Sequence, residues 1–166
     1  DDGFFCAEQN VMVLSENLKK NSILINSKAV TRWELIAEMV EIAIKNGQID
    51  SGLRDSTIKA LIDREKSMST GIGNGVAIPH CTTPEINEIV IVMTISSKGI
   101  DFESIDNHPV RIAILLLVPK NKLTQHIKTL AGIAKLMSDE NLRDTLLAAK
   151  TPDVVLKELK KHDTQK

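Results

Sequence analysis

Two long apolar runs constrain the fold of this 166-residue chain more than any other feature. The first covers Ile89 to Ile95 and the second covers Val110 to Val118, and aliphatic side chains make up nearly all of both. A strand that is apolar on both faces needs a layer of helices on each side to keep it from water. We therefore predict that both runs are buried strands, with the first near the centre of the sheet and the second ended by Pro119.

The remaining periodic segments predict helices and short strands around these runs. A capping box at Thr31 and Glu34 begins a helix that stops at Asn46-Gly47. We also predict helices at about 55–65, 122–137, 139–149 and from 151, short strands at 22–25 and 76–78, a loop at 82–87 and a turn at 98–99. The helix at 122–137 is expected to bury Leu123, Ile127, Leu130, Ala131 and Ala134. Alternation of strands and helices predicts a single α/β domain, with a central mixed β-sheet flanked by helices on both faces.

Charge and composition exclude several classes of function. The net charge is −1 and both signs are spread along the chain, so no basic surface for nucleic acid or membrane headgroups is expected. Aromatic residues make up only 2% of the chain, too few for a surface that stacks bases. No apolar run approaches the roughly 20 residues of a membrane span. With two cysteines and no visible signal peptide, the sequence predicts a cytoplasmic protein without membrane insertion.

The ends of the chain are interpreted separately from the domain. Residues 1–12 have no clear periodicity, and we predict that they are an N-terminal extension or a cloning remnant outside the fold. The domain itself is expected at 13–162. A length of 166 residues is enough for one domain with a substantial core.

A glycine-rich stretch lies between the predicted helix at 55–65 and the strand at 76–78. From Ser69 to His80 it reads Ser-Thr-Gly-Ile-Gly-Asn-Gly-Val-Ala-Ile-Pro-His. Glycine takes positive φ and lets another group approach the backbone closely, so such a stretch can turn several N–H groups toward one anion. The predicted phosphate cradle consists of Thr70, Gly71, Gly73, Asn74 and Gly75.

His80 follows this stretch on a stiff segment. Pro79 fixes its own φ and biases Ile78 toward extended backbone. Histidine switches readily between neutral nucleophile and cation near neutral pH. An anion cradle beside a rigidly held histidine indicates phosphoryl chemistry on a ring nitrogen. The alternative is that the glycines only make a turn and that His80 is a solvated residue at a strand end.

Other familiar kinds of site do not match the sequence. There is no G-x-x-x-x-G-K-[ST] P-loop, and the glycines do not form the G-x-G-x-x-G of dinucleotide-binding folds. A Ser-His-Asp hydrolase lacks its G-x-S-x-G elbow. His80, Cys81 and His126 lack zinc-type spacing, so we expect no metal and no cofactor. His108 is predicted to lie in a loop and His162 in a polar tail, both without a role.

The residues around His80 resemble a known family. Arg64-Glu65-Lys66 and the glycine-rich stretch closely resemble the enzyme IIA domain of the bacterial phosphoenolpyruvate-dependent phosphotransferase system, fructose/mannitol class. Phe102–Asn107 and Leu115–Pro119 look most like the nitrogen-regulatory branch of that class. The resemblance covers most of the chain.

The resemblance implies roles for three side chains. His80 would accept a phosphoryl group from the phosphohistidine of the small carrier protein HPr. Arg64, in the last turn of one predicted helix, and His126, one turn into another, would stabilise phosphate charge and position the ring. The residues alone favour the other interpretation, in which Arg64 is a solvated charge that complements a helix dipole and His126 is a helix-surface histidine.

Two functions are compatible with such a domain. A regulatory protein would select target proteins through its phosphorylation state, whereas a relay would pass phosphate to the B domain of a sugar permease. No permease or carrier domain follows before Lys166, which favours the regulator.

Cys81-Thr82 departs from the small and then basic residues expected after the histidine in the nitrogen-regulatory branch. Cys81 adjoins a site that attracts anions, which would favour a reactive thiolate. The alternative is a buried and inert cysteine.

Overall fold

The computed structural model describes residues 14–164, so the predicted extension at 1–12 lies outside the described residues. The helices within them are α1 (Leu14–Asn17), α2 (Arg32–Lys45), α3 (Arg54–Ser67), α4 (Leu123–Leu136), α5 (Glu140–Ala148) and α6 (Pro152–Thr164). The strands are β1 (Ile23–Ile25), β2 (Gly71–Gly73), β3 (Val76–Ala77), β4 (His80–Thr83), β5 (Val90–Ile100) and β6 (Val110–Pro119). Short 3-10 turns precede β1 and α3.

These strands form one mixed sheet in the order β1-β5-β6-β3-β2, and β4 also pairs with β6. The two long strands, β5 and β6, are antiparallel and lie side by side. β1 runs parallel to β5, and both β3 and β4 run parallel to β6. β2 returns antiparallel to β3 as a hairpin. The prediction of an α/β domain with a central mixed sheet and helices on both faces is confirmed.

Alternating side chains of β6 explain why this strand is apolar throughout. Ile114 and Leu116 pack with residues of α1, α4, α5 and α6 on one face of the sheet. Leu115 and Leu117 pack with residues of α2 and α3 on the other face. Complete burial of an aliphatic side chain stabilises a fold by about 1.5–3 kcal/mol, so both faces contribute to the core.

The helix boundaries follow the capping residues of the sequence. Thr31 Oγ1 accepts the N–H of Glu34 at 3.1 Å, and the Glu34 carboxylate accepts the N–H of Val30 at 2.9 Å. The chain leaves α2 through Gly47, whose φ is 74°. Asp139 caps α5 through its side chain. These contacts satisfy backbone donors that a helix end otherwise leaves without partners.

Two predictions about loops are wrong. The predicted loop begins at Thr82, yet β4 continues to Thr83 because its backbone pairs with β6. The predicted turn at Lys98-Gly99 lies inside β5, where the register shifts and Gly99 has a φ of 79°. A bulge accommodates turn-forming residues without ending a strand.

Two predictions about the C-terminal helices are also wrong. The buried face of α4 carries Thr129, Ile133 and Leu136, whereas Leu123 is 56% exposed and Ile127 is 68% exposed. Adjacent positions in a helix differ by about 100° in direction, and the predicted stripe is rotated by about one position from the buried one. His162 belongs to α6 and not to a polar tail, with its Nδ1 3.6 Å from a carboxylate oxygen of Asp139.

Candidate phosphoryl-transfer site

His80 begins β4 where the chain leaves Pro79. Both β3 and β4 run along β6, with Val76 opposite Ile112 and His80 opposite Leu116. Pro79 has no N–H, so it interrupts the ladder, but its carbonyl accepts the N–H of Leu116 at 2.9 Å. The backbone on both sides of His80 is therefore held by the sheet, as expected for a rigidly mounted histidine.

The hydrogen bond of the His80 ring assigns its tautomer. Nδ1 lies 2.7 Å from the carbonyl oxygen of Ile78. A carbonyl oxygen only accepts, so Nδ1 carries the proton and donates it. In the neutral ring, Nε2 then keeps a free electron pair. Nε2 is therefore the nucleophilic nitrogen of His80.

His126 lies beside His80. The ring centroids are 5.3 Å apart and the planes are inclined at 49°. His126 occupies the first turn of α4, near the positive end of the helix dipole. Its buried Nδ1 has no hydrogen-bond partner among residues 14–164. Among the described residues, none therefore fixes which ring nitrogen of His126 carries the proton.

Arg64 approaches the histidine pair from the last turn of α3. Its Nη1 donates to the carbonyl of Met68 at 2.8 Å, which leaves the other guanidinium donors for a ligand. The charge of Arg64 acts on both His80 and His126. The structure therefore brings together the three side chains to which the resemblance assigns roles.

Burial and charge shift both rings toward the neutral form. Burial lowers the pKa of His80 and the positive charge of Arg64 lowers it further, while the bond to the Ile78 carbonyl opposes them. Burial also lowers the pKa of His126, with further contributions from His80 and Arg64. An imidazole attacks phosphorus only in its neutral form, so both shifts favour the reactive state of His80 at neutral pH.

The predicted phosphate cradle is split by the geometry of the hairpin. Gly73, Asn74 and Gly75 form its turn, with φ values of 94°, 58° and 75°. The carbonyl of Gly75 accepts two N–H groups at the start of β6. Val76 and His80 are four strand residues apart, which corresponds to about 13 Å. The three turn residues therefore lie too far from His80 to contact a phosphoryl group on its ring.

The other cradle residues are nearer, but their donors are occupied. Thr70 donates its N–H to Glu65 at 3.0 Å and its hydroxyl to the same carboxylate. Gly71 donates its N–H to a serine hydroxyl at 3.1 Å. Even in the turn, the N–H of Asn74 donates to Asp106 at 2.8 Å. The glycine-rich stretch thus shapes the hairpin, and its N–H groups at Thr70, Gly71 and Asn74 are occupied by protein partners.

Glu65 supports the site, although sequence reasoning assigned it no role. Its side chain is fully buried, with Arg32 Nη1 at 3.5 Å. The carbonyl of Thr70 accepts the N–H of Ile78 at 3.0 Å. The carbonyl of Ile78 in turn accepts the proton of His80 Nδ1. A sequence signal exists, because Glu65 follows the buried Leu61 by one helical turn and shares its face.

Cys81 and the remaining histidine do not join the site. Cys81 is buried in the core between the sheet and α2 and α3, and burial raises its pKa to about 11. The buried, inert cysteine is therefore confirmed, and the reactive thiolate offered beside it is wrong. His108 lies in an exposed loop as predicted, with Nδ1 3.4 Å from Asp106. Among residues 14–164, no three histidine, cysteine or acidic side chains are grouped to hold a metal ion.

Residues 16–162 match the family model described as "Phosphoenolpyruvate-dependent sugar phosphotransferase system, EIIA 2". The chain belongs to this family, and it is an EIIA-type phosphotransfer domain. Within the described part of the chain, the helices are all too short or too polar to cross a membrane.

Relatives include both fructose-specific components and nitrogen regulatory proteins. A fructose-specific EIIABC component of Bacillus subtilis is 30% identical over 152 residues, which are 92% of this chain but 24% of that protein. A fructose-specific EIIA component of Haloferax volcanii is 29% identical over 133 residues, covering 80% of this chain and 85% of the relative. A nitrogen regulatory protein of Bradyrhizobium diazoefficiens is 33% identical over 134 residues, covering 81% and 83%.

Solved structures agree with this fold. The nitrogen regulatory protein IIA-Ntr of Neisseria meningitidis superposes with a TM-score of 0.81 at 24% identity, covering 89% of this chain and 99% of that one. The mannitol IIA of Escherichia coli gives 0.71 at 24% identity, with coverages of 85% and 97%. A complex of mannitol enzyme IIA with phosphorylated enzyme IIB from Escherichia coli gives 0.72 at 23% identity, with coverages of 87% and 99%.

Proposed function

We propose that this chain is a phosphoryl carrier that accepts phosphate from an HPr-type phosphocarrier on Nε2 of His80. The observation that carries the proposal is the 2.7 Å bond from His80 Nδ1 to the Ile78 carbonyl. This bond leaves the electron pair on Nε2 and fixes the ring plane. A lowered pKa keeps that pair unprotonated at neutral pH.

The transfer balances without a further reactant. Nε2 of His80 attacks phosphorus in line with the P–N bond of the donor phosphohistidine. The new P–N bond forms as the old one breaks, and the donor nitrogen keeps the electron pair. Phosphoryl transfer has a loose transition state, so placement and stabilisation of the equatorial oxygens supply most of the catalysis.

Arg64 and His126 are the proposed partners of those oxygens. Arginine can hold phosphate with two parallel hydrogen bonds, and the bond to the Met68 carbonyl orients the guanidinium. The His126 ring lies beside His80, with the ring centroids 5.3 Å apart. A neutral His126 has one ring N–H, and we propose that it donates this proton to phosphate.

Intact mass after incubation with phosphoenolpyruvate, enzyme I and HPr tests this function. We expect one phosphoryl group, labile in acid, on the wild-type protein. His80→Ala should abolish the label, and His126→Ala should slow its appearance while leaving its position unchanged. Full labelling of His80→Ala would show that another residue is the acceptor.

We further propose that the carrier acts mainly as a regulator of the nitrogen type. The identity of 33% to a nitrogen regulatory protein supports this, as do the Thr-Gly-Ile-Gly-Asn-Gly and Ile-Asp-Asn segments. Phosphorylation adds about two negative charges and changes ion pairing at the surface around His80. The second candidate is a sugar relay, which the identity of 30% to a fructose-specific component favours.

Transfer to a B domain distinguishes the two candidates. Phosphorylated protein is mixed with a fructose- or mannitol-type B domain, and the loss of its label is followed by mass. A regulator should transfer slowly, and its phosphorylated and unphosphorylated forms should retain different proteins from a lysate. Rapid transfer, with identical retained proteins for both forms, would make the chain a relay.

A further inference from the structure

Thr82 lies on the same face of β4 as His80. Successive side chains of a strand point to opposite faces, so residues two apart share a face and Cys81 between them takes the other. Cys81 indeed packs in the core under α2 and α3. His80 and Thr82 pair with Leu116 and Val118, whose side chains lie on the face that α4 covers. Thr82 is therefore a neighbour of His80 on the side from which His126 approaches.

The orientation of the His80 ring places its nucleophilic nitrogen on the side of Thr82. The edge of the ring with Nδ1 faces back to the carbonyl of Ile78, at 2.7 Å. In an imidazole, Nε2 lies across the ring from the edge that carries Nδ1. Nε2 therefore faces the residues that follow His80 in the strand. Thr82 is the first of these on the same face, about 7 Å further along the strand.

The hydroxyl of Thr82 is not engaged by the protein around it. This side chain is partly exposed, and its hydroxyl has no hydrogen-bond partner among residues 14–164. The hydroxyl of Thr83 differs, because it accepts the N–H of Glu85 at 3.3 Å and donates to the Glu85 carboxylate at 3.4 Å. Of the two adjacent threonines, the one that shares a face with His80 is thus the one with a donor to offer.

We propose that the Thr82 hydroxyl donates a hydrogen bond to an equatorial oxygen of the phosphoryl group on Nε2 of His80. The inference rests on the proposed function and adds a catalytic donor to it. Arg64 and His126, the other proposed donors, belong to helices, whereas Thr82 belongs to the same strand as the nucleophile. A donor fixed beside the nucleophile stabilises the charge on the equatorial oxygens without reorganisation during transfer.

Labelling by phosphoramidate, which needs no protein partner, tests this donor. In the reaction Nε2 attacks phosphorus, the P–N bond of phosphoramidate breaks, and its nitrogen leaves as ammonia. Thr82→Val replaces the hydroxyl with a methyl group and keeps a branched side chain that suits a strand. It should slow labelling of His80 by about tenfold, the effect of losing one hydrogen bond to a charged group. Thr82→Ser keeps the hydroxyl and should restore nearly the wild-type rate.

Thr83→Val is the matched control for this substitution. It makes the same chemical change at the next residue of β4, on the opposite face of the strand, and removes a hydroxyl that Glu85 already binds. This variant should label at the wild-type rate. Equal slowing by Thr82→Val and Thr83→Val would mean that disturbance of the strand, and not a lost contact with phosphate, reduces the rate.

The phosphorylated proteins provide a second measurement, which a purely structural change would leave unaltered. A donor to the phosphoryl oxygens stabilises the dianion, so its loss raises the second pKa of the phosphoryl group. The ³¹P resonance of phosphorylated Thr82→Val should therefore titrate at higher pH than that of the wild type. The resonances of Thr82→Ser and Thr83→Val should titrate with the wild type.

Two further results would overturn the inference while His80 is labelled normally. One is a Thr82→Val protein with the wild-type phosphoramidate rate and the wild-type ³¹P titration. The other is slow labelling of Thr82→Val by phosphorylated HPr alone, with normal labelling by phosphoramidate, which would assign Thr82 to a contact with the partner protein. Absence of label on wild-type His80 from either donor would instead remove the proposed function itself.

Discussion

At the scale of single residues, Arg64 shows how one side chain can be both anchored and available. Its Nη1 donates to the Met68 carbonyl at 2.8 Å, at the end of the helix that carries it. Lysine at this position would keep the charge but lose the planar fork that fits phosphate. The proposed role of Arg64 in transfer therefore depends on this hydrogen bond and on the planar fork as well as on the charge.

We therefore expect Arg64→Lys to slow phosphorylation of His80 by about ten- to a hundredfold, the equivalent of one hydrogen bond to a charged group. The free energy of unfolding should change by less than about 0.5 kcal/mol, as is usual for a surface helix end. Single-turnover transfer and urea unfolding measure the two quantities.

Arg143 provides a matched control for that substitution. Its Nη1 also donates to a carbonyl at the end of a helix, that of Met137 at 2.8 Å, but this site is at the opposite end of α4 from His126. Arg143→Lys should leave transfer unchanged. If both variants transfer at the wild-type rate, Arg64 is only a solvated charge.

At the scale of elements, the site joins the end of α3, the segment from Thr70 to His80 and, from further away in the sequence, the start of α2. Glu65 ties α3 to Thr70, and Thr70 is hydrogen-bonded to Ile78, the residue that holds His80. Arg32, at the start of α2, contributes an ion pair to Glu65 at 3.5 Å. The buried carboxylate therefore positions α3, which carries Arg64, against the segment that holds His80.

We expect Glu65→Gln to destabilise the fold by about 1–3 kcal/mol, because the amide nitrogen faces donors and leaves a buried group unpaired. Transfer should fall as well, and the ¹⁵N shifts of His80 should show a mixture of tautomers. Glu103→Gln is the control, since Glu103 also pairs with Arg32 at 3.5 Å but is 74% exposed. It should cost at most about 0.5 kcal/mol. Equal effects of both variants on all three measurements would contradict a positioning role for Glu65.

The same elements show what could be predicted from the sequence and what could not. The runs that became β5 and β6 were predictable because burial on both faces requires apolar side chains at every position. The capping residues fixed the start of α2 for a local reason. By contrast, β4 contains polar residues, and it forms because β6 offers a backbone partner to each of its four residues.

The candidate site divides in the same way. His80 and the preceding Pro79 are local features of the sequence, and the structure holds both against β6 as expected. The position of the predicted cradle could not be read from the sequence, because strand register decides how far Gly73, Asn74 and Gly75 lie from His80. The rotation of α4 was wrong because tertiary packing, and not the apolar pattern of this helix, chose the buried face.

At the scale of the whole molecule, the two lowered histidine pKa values link the site to stability. Burial is the main cause of the shift at both His80 and His126. In an unfolded chain, histidine titrates near about 6.5. Below that pH, the unfolded chain binds more protons than the folded protein, so the free energy of unfolding falls as pH falls. Above it, the rings are neutral in both states, and the two histidines no longer make the free energy of unfolding depend on pH.

The double variant His80→Gln, His126→Gln removes this contribution and should flatten the pH dependence. One proton can change stability by at most about 1.4 kcal/mol per pH unit, and partial exposure of both rings keeps each effect below that limit. Urea unfolding of the variant and the wild type at intervals from pH 7.5 to about pH 5 measures the difference, since carboxylates contribute equally to both. The wild type should lose more stability than the variant as the pH falls below about 6.5. Parallel curves would mean that the folded protein accepts protons on these rings as readily as the unfolded chain does. Burial would then not lower the pKa of His80.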